Sequence, residues 1–143
     1  MLGIDSGERR VGVAICDALG VVATPLGLIE RPRRAALAAI AEIARREGVE
    51  QIVVGLPLSL NESEGPQAQR ARSFGRALKT TTRLPVVFWD ERFSSIEADR
   101  RMIEAGWSRR RRDARRDAAA AAIILQDYLD SHRTPSNDGG DLP

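Results

Sequence analysis

The chain has 143 residues, 43% hydrophobic and 29% charged, with 22 basic against 20 acidic side chains for a net charge of +2. That length fits one domain with its own core, and the apolar content excludes a wholly disordered chain. A single cysteine, Cys16, excludes an internal disulfide, and a single histidine, His132, leaves nothing for a histidine-rich metal site or a Ser-His-Asp triad.

Taken in order, Leu2 to Ile4 is an apolar run closed by Asp5, and Asp5-Ser6-Gly7-Glu8-Arg9-Arg10 is rich in turn residues. Val11 to Cys16 and Val21 to Ile29 are two further apolar runs, so the first three strands read as an antiparallel meander. Pro32 opens a helix whose inward side is Leu37, Ile40, Ile43 and Ala44, and Gly48 stops it. Gln51 to Leu56 is apolar on both faces, as a central parallel strand is. After a loop from Pro57, Pro66 begins a helix to about Thr80, with Ala71, Phe74, Ala77 and Leu78 inward. Val86 to Trp89 reads as another buried strand, followed by Asp90-Glu91-Arg92. Ser94 with Glu97 forms a capping box for a helix to about Ala105, broken by Gly106-Trp107. Asp117 to Leu129 is a final alanine-driven helix. The order β-β-β-α-β-α-β-α-α implies an α/β fold: a mixed five-stranded sheet of three meander strands and two parallel strands, with helices on both faces. The division expected is a domain over residues 1–130 and a polar, disordered tail over 131–143, with His132 inert in it.

No apolar run reaches the roughly 18 residues of a membrane span. Asp5 breaks the opening apolar residues too early for a signal peptide. A soluble, cytoplasmic protein is expected, with polar chemistry resting on carboxylates, hydroxyls and arginine. Of the 22 basic residues Lys79 is the one lysine, so 21 are arginine. Between Gly106 and Ala120 six arginines face two aspartates, a local charge of +4. A basic stretch in a nearly neutral chain points to a localised anion site.

Asp5, the Asp90-Glu91 pair and Asp117 all fall at element ends, where ligands of open α/β sheets gather. Each acid alone has an ordinary explanation: a turn residue, a surface pair with Arg92, a helix-start acid. Together in one cleft they would repel, and a divalent cation relieves that; oxygen-only donors select Mg²⁺ or Mn²⁺. Two such ions about 4 Å apart clamp the attacking and leaving oxygens of a phosphodiester.

Four motifs carry a resemblance: Gly3-x-Asp5-x-Gly7-x-x-Arg10-x-Gly12; Gly55-Leu56-Pro57-Leu58 with Glu64-Gly65-Pro66-Gln67-Ala68-Gln69; Asp90-Glu91-Arg92-Phe93-Ser94; and Asp117 followed by Ala121, Ile124, Leu125 and Tyr128. In this order and spacing the chain resembles the YqgF (RuvX) family of pre-16S ribosomal RNA nucleases related to Holliday junction resolvases. The match spans roughly residues 2 to 130. The resemblance implies a ribonuclease H-like fold and a metal-dependent nuclease of structured nucleic acid, trimming the 5′ end of the small-subunit ribosomal RNA precursor. It implies Asp5, Glu91 and Asp117 as the acidic triad, with Asp90 as alternate for the middle metal ligand. Departures are the short first strand, Glu8 where relatives often carry small or basic residues, and Asp113, four residues before Asp117, which either assists it or pairs with an arginine.

Arg109, Arg110, Arg111, Arg112, Arg115 and Arg116 lead into Asp117 and read as a flexible basic loop for backbone phosphates. Arg10 and Arg92 either bind the scissile phosphate or orient an acid. Gln67 and Gln69 either contact sugar and base or cap their helix, whose N-terminus suits a phosphate. Trp107 either stacks a base or anchors its loop. The expected partners are RNA (the 16S ribosomal precursor) or branched DNA, and possible precursor particles, with the protein a monomer or weak homodimer. The rival readings are a Holliday junction resolvase and a binding module with a vestigial site. A sugar kinase or actin-like ATPase is excluded, because those need two such folds around the nucleotide.

Overall fold

The computed structural model describes residues 1–7, 9–30, 32–57, 65–90, 103–106 and 108–132, with the backbone alone across 109–118. Strands β1 (Leu2–Ser6), β2 (Val11–Cys16) and β3 (Ala23–Ile29) precede helix α1 (Arg33–Glu47), and β4 (Ile52–Leu56), α2 (Pro66–Thr82), β5 (Val86–Asp90) and α3 (Arg109–Ser131) follow. They form one sheet in the order β3-β2-β1-β4-β5. β1 pairs antiparallel with β2 and parallel with β4, and β4 pairs parallel with β5. This is the expected mixed sheet, with β1 at the seam between its antiparallel and parallel halves.

Strand alternation divides the core into two layers. Leu2, Ile4, Ile52, Val54 and Leu56 pack with Ile40 of α1 and Phe74 and Leu78 of α2 on one face. Val53 packs with Ala121, Ile124 and Leu125 of α3 on the other. All five residues of β4 are buried, as its unbroken apolar run requires of a strand covered on both sides. The helices end as their sequences dictate: Gly48 caps α1 in the left-handed conformation at φ 66°, and Pro66 stands at the first position of α2.

Four local readings are corrected. β3 starts at Ala23, because the Asp17 carboxylate accepts the N–H groups of Val21 and Val22 (2.7 and 3.2 Å) and folds both into the preceding turn. β5 is only half-buried along its length, since it borders the sheet among the described strands. The last helix begins at Arg109, so the arginine run is helix and not loop, and Asp117 lies inside it. Arginine ranks close to leucine in helix propensity, and Ser108 is a favoured type ahead of a first turn. His132 packs with the folded part and not in a tail: its ring stacks on Tyr128 at 4.0 Å. Of the helix expected from Ser94, residues 94–102 lie outside the described residues, and residues 103–106 close a turn with the Gly106 N–H on the Ile103 carbonyl at 2.9 Å. Among the described residues no helix is long and apolar enough to cross a membrane.

Helix α3 approaches β1 closely enough to leave no room for a side chain at position 3. A Cβ built on Gly3 would stand 2.7 Å from Leu125 Cβ and 2.8 Å from the Ala121 carbonyl oxygen. One of these neighbours is backbone, so neither a rotamer change nor a small local shift accommodates it. Gly3→Ala is expected to destabilise the protein by about 1–3 kcal/mol through overpacking. Equilibrium denaturant unfolding, with an unchanged m-value, measures it.

Candidate functional site at the carboxyl edge of the sheet

Asp5 is the fourth residue of β1, half-buried, and opposite Gly12 of β2. Alternation puts it on the same face as Gly3, beneath α3. The parallel register Gly3↔Val53 and Ile4↔Val54, carried one residue further, brings Gly55 of β4 beside it. Gly55 pairs in turn with Trp89 of β5. Asp5 thus has glycine on both flanks, and no β4 side chain fills the space between β1 and β5 on this face. Those two backbones are about two interstrand spacings, or roughly 10 Å, apart.

The same alternation decides between the adjacent acids of β5 as far as the strand reaches. Phe88 packs in the α1/α2 layer and Trp89 in the α3 layer. Asp90 is paired with Leu56, an α1/α2-layer residue, so it stands on the face opposite Asp5. Glu91 and Arg92 lie outside the described residues.

The direction of α3 follows from its anchors. Gln126 accepts the Ala23 N–H at 2.9 Å and donates to the Val21 carbonyl at 2.8 Å. Tyr128 accepts from Gln51, just before β4, at 2.9 Å. Both contacts lie at the end of the sheet where β1 and β4 begin, so the amino end of α3 runs toward their carboxyl ends. Asp117 is one helical turn before Ala121, about 6 Å further along the axis. Asp5 is two residues beyond Gly3, nearly 7 Å by strand rise. From one contact point, both acid-bearing positions advance by similar distances toward the same edge. Positions 113, 117, 121 and 125 share one helical stripe.

The remaining candidates fall around this edge in different ways. Arg10, just before β2, has its Nε 3.7 Å from Glu30 Oε1, a loose pair on the rim. Gln67 and Gln69 occupy the first turn of α2 and are exposed; the Gln69 N–H donates to the Gly65 carbonyl at 3.1 Å. Arg109 to Arg112, Arg115 and Arg116 occupy the first turns of α3. Trp107, Glu8 and residues 58–64, expected as a loop, lie outside the described residues. Among the described side chains no three acidic, cysteine or histidine residues gather. The donors that the sequence nominates are all carboxylate oxygens, a set that fits a hard divalent cation.

Sequence reasoning missed the residues that hold β5 and α3 together. The Trp89 indole donates to the Asp127 carboxylate at 2.7 Å, and its ring meets Tyr128 edge-on at 5.3 Å and His132 at 5.5 Å. Trp89 immediately precedes Asp90, so this cluster anchors β5 at its carboxyl end. An aromatic in a strand and another in a helix carry no sequence mark of their pairing.

The RuvX family model, described as Holliday junction resolvase, matches residues 1–131. A relative from Moorella thermoacetica is 49% identical over 131 residues, spanning 91% of this chain and 94% of its own. One from Pelotomaculum thermopropionicum is 43% identical over 142 residues, spanning 98% and 92%. Both carry the name "Putative pre-16S rRNA nuclease". Among solved structures, Thermus thermophilus RuvC in complex with a Holliday junction superimposes with a TM-score of 0.55 at 17% identity, covering 92% of this chain and 94% of that one. The fowlpox virus resolvase with its junction DNA gives 0.54 at 11% identity, covering 94% and 100%.

Trp89→Phe keeps an aromatic ring, though a smaller one, and removes the indole donor. It is expected to cost about 1 kcal/mol of stability, the worth of one partly exposed hydrogen bond. Thermal unfolding measures it, and amide exchange across β5 and the last turns of α3 shows where the loss is felt.

Proposed function

The chain belongs to the RuvX family, and on that premise we propose that it is a divalent-metal-dependent endonuclease of structured nucleic acid that processes the 5′ end of the 16S ribosomal RNA precursor. Its fold is the ribonuclease H-like fold of the RuvC-type resolvases it superimposes on. One observation carries the reading: the close seat of α3 on Gly3 directs positions 5 and 117 toward the same edge of the sheet.

Asp5, Glu91 and Asp117 are the metal-holding residues of this proposal. Asp5 stands on the α3 face and Asp90 on the opposite one, which favours Glu91 over Asp90 as the third metal-holding residue of this reading. A pair of Mg²⁺ or Mn²⁺ ions, when bound, supplies Lewis acidity at the phosphoryl group and an acidified water. The glycines flanking Asp5 leave room for the scissile phosphate. Arg10, Arg92 and the arginines of α3's first turns hold the backbone on either side, as planar forks suited to phosphate. Gln67 and Gln69 meet sugar or base from the first turn of α2. Water oxygen adds to phosphorus and the P–O3′ bond breaks, leaving a 5′ phosphate and a 3′ hydroxyl with no covalent intermediate. The composition, and the lack of a membrane-length apolar helix among the described residues, fit a cytoplasmic setting.

The family description and the RuvC likeness favour a second substrate, a four-way DNA junction. Cleavage of precursor ribosomal RNA and of such a junction, each with Mg²⁺ and Mn²⁺, separates the two. Asp5→Asn, Glu91→Gln and Asp117→Asn are each expected to lower kcat by more than about 100-fold, beyond the range that metal-supporting outer groups cost. Melting temperatures should be retained, and Asp90→Asn should stay close to the parent enzyme. Undiminished cleavage by the Asp5 and Asp117 variants overturns the assignment, and RNA binding without cleavage by the parent protein turns the reading to a vestigial site.

A further inference from the structure

On the α1/α2 face of the same sheet edge lies a small cavity of about 140 Å³ lined by Ser6, Gly7, Arg9, Arg33, Arg70 and Phe74. None of its described lining residues is acidic. Its three arginines come from separate parts of the chain: the β1–β2 turn, the first residue of α1 and the second turn of α2. Arg33 is held in place, one terminal nitrogen donating to the carbonyl and hydroxyl oxygens of Ser73, both at 2.9 Å, with its guanidinium 5.9 Å from the Phe74 ring centre. A guanidinium carries five N–H donors, so the Ser73 bonds leave Arg33 capacity for an anion.

The charge placement runs against helix stability. Helix amino ends favour acids, yet neither α1 nor α2 has an acid in its first turn, and Arg33 opens α1. The same helices place basic residues at their carboxyl ends in the favourable sense, with Arg45 and Arg46 on α1 and Lys79 on α2. Cations gathered at two positive helix ends around one cavity are an arrangement that a bound anion makes favourable. The volume suits a single phosphate group and not a whole nucleotide.

We propose that this cavity is a phosphate subsite, taking one phosphate of the bound strand away from the scissile bond. It rests on the nuclease reading for the identity of the strand, though not for the anion chemistry. Ser6 of the cavity follows Asp5 directly in β1, and alternation sends the two side chains to opposite faces of one edge. A strand crossing that edge lays one phosphate on the acidic side and a neighbouring one in the arginine cavity. The cut strand is thereby fixed at two points, which sets where along it the acids act.

The test is binding of the full chain to a fluorescently labelled single-stranded RNA in metal-free buffer over a salt series, so that no cleavage enters. Arg9→Ala combined with Arg70→Ala is expected to weaken binding about tenfold and to lower the slope of log K against log salt by about 0.7, one phosphate's worth on a single strand. Both side chains are exposed, so the melting temperature is expected to hold; the single variants, each giving part of the effect, serve if the pair unfolds. The control is Arg45→Ala with Arg46→Ala at the far end of α1. An unchanged slope in the cavity variants, or an equal loss in the control, overturns the subsite. Loss only with a 5′-phosphorylated probe assigns the cavity to a terminal phosphate, and loss with a 5′-hydroxyl probe as well assigns it to an internal diester. A cavity effect without any cleavage in metal leaves the subsite standing and removes the nuclease reading alone. Cleavage that needs Asp5 with no cavity effect does the reverse.

Discussion

Helix α3 lies directly against the backbone of β1, and only a residue without a side chain lets it do so. At Gly3 even one added carbon would meet a carbonyl oxygen of the helix. This contact is the reference from which the rest of the edge is measured. Two residues along the strand stands Asp5, and one turn up the helix stands Asp117. Were the helix lifted by a side chain at position 3, both distances would grow together. Gly12 and Gly55 extend the same logic sideways, keeping the neighbouring strands bare where Asp5 stands. The glycines of the motifs are therefore steric devices, and under the proposed function the space they clear serves the acids between them.

The opposite face repeats the device for another purpose. A Cβ on Gly75 of α2 would come within 2.6 Å of the Phe88 ring, so α2 also seats closely on the sheet. Arg72 stacks over that ring at 5.0 Å, covering the border strand with a cation whose stem is apolar. Two helices held this close bring their amino ends to the edge where β1 and β4 finish. The near-neutral net charge of +2 is thus a sum over separated regions: carboxylates at the strand ends, arginines at the helix starts and along the first turns of α3.

Much of the fold was legible because burial imposes a period. The apolar runs of β1, β2 and β4 and the helical spacing in α1 and α2 are what burial requires, and the observed elements match them closely. Where the structure departs from these expectations, a propensity or a partner close by in the chain outweighs the more conspicuous signal. The six arginines between 109 and 116 were read as loop from their charge, although arginine is a good helix former. Val21 and Val22 were read as strand from their β-branching, although Asp17 claims their N–H groups. His132 was read as tail because nothing in its neighbourhood in the sequence announces a ring stacked on Tyr128 one turn earlier.

By itself the sequence determined the order of elements, the mixed character of the sheet and the acids worth considering, because these depend on spacing along the chain. Tertiary structure alone decided that Asp5 and Asp90 take opposite faces and which distant residues share a cavity. Asp90 and Glu91 are neighbours in sequence and equal in chemistry, and only the pairing of β5 with β4 places Asp90 away from Asp5. Arg9, Arg33 and Arg70 have no common motif, since their meeting depends on where two helices begin relative to a turn. Periodicity encodes what is buried, but convergence in space is a property of packing, and it becomes definite only when the helices are seated on the sheet.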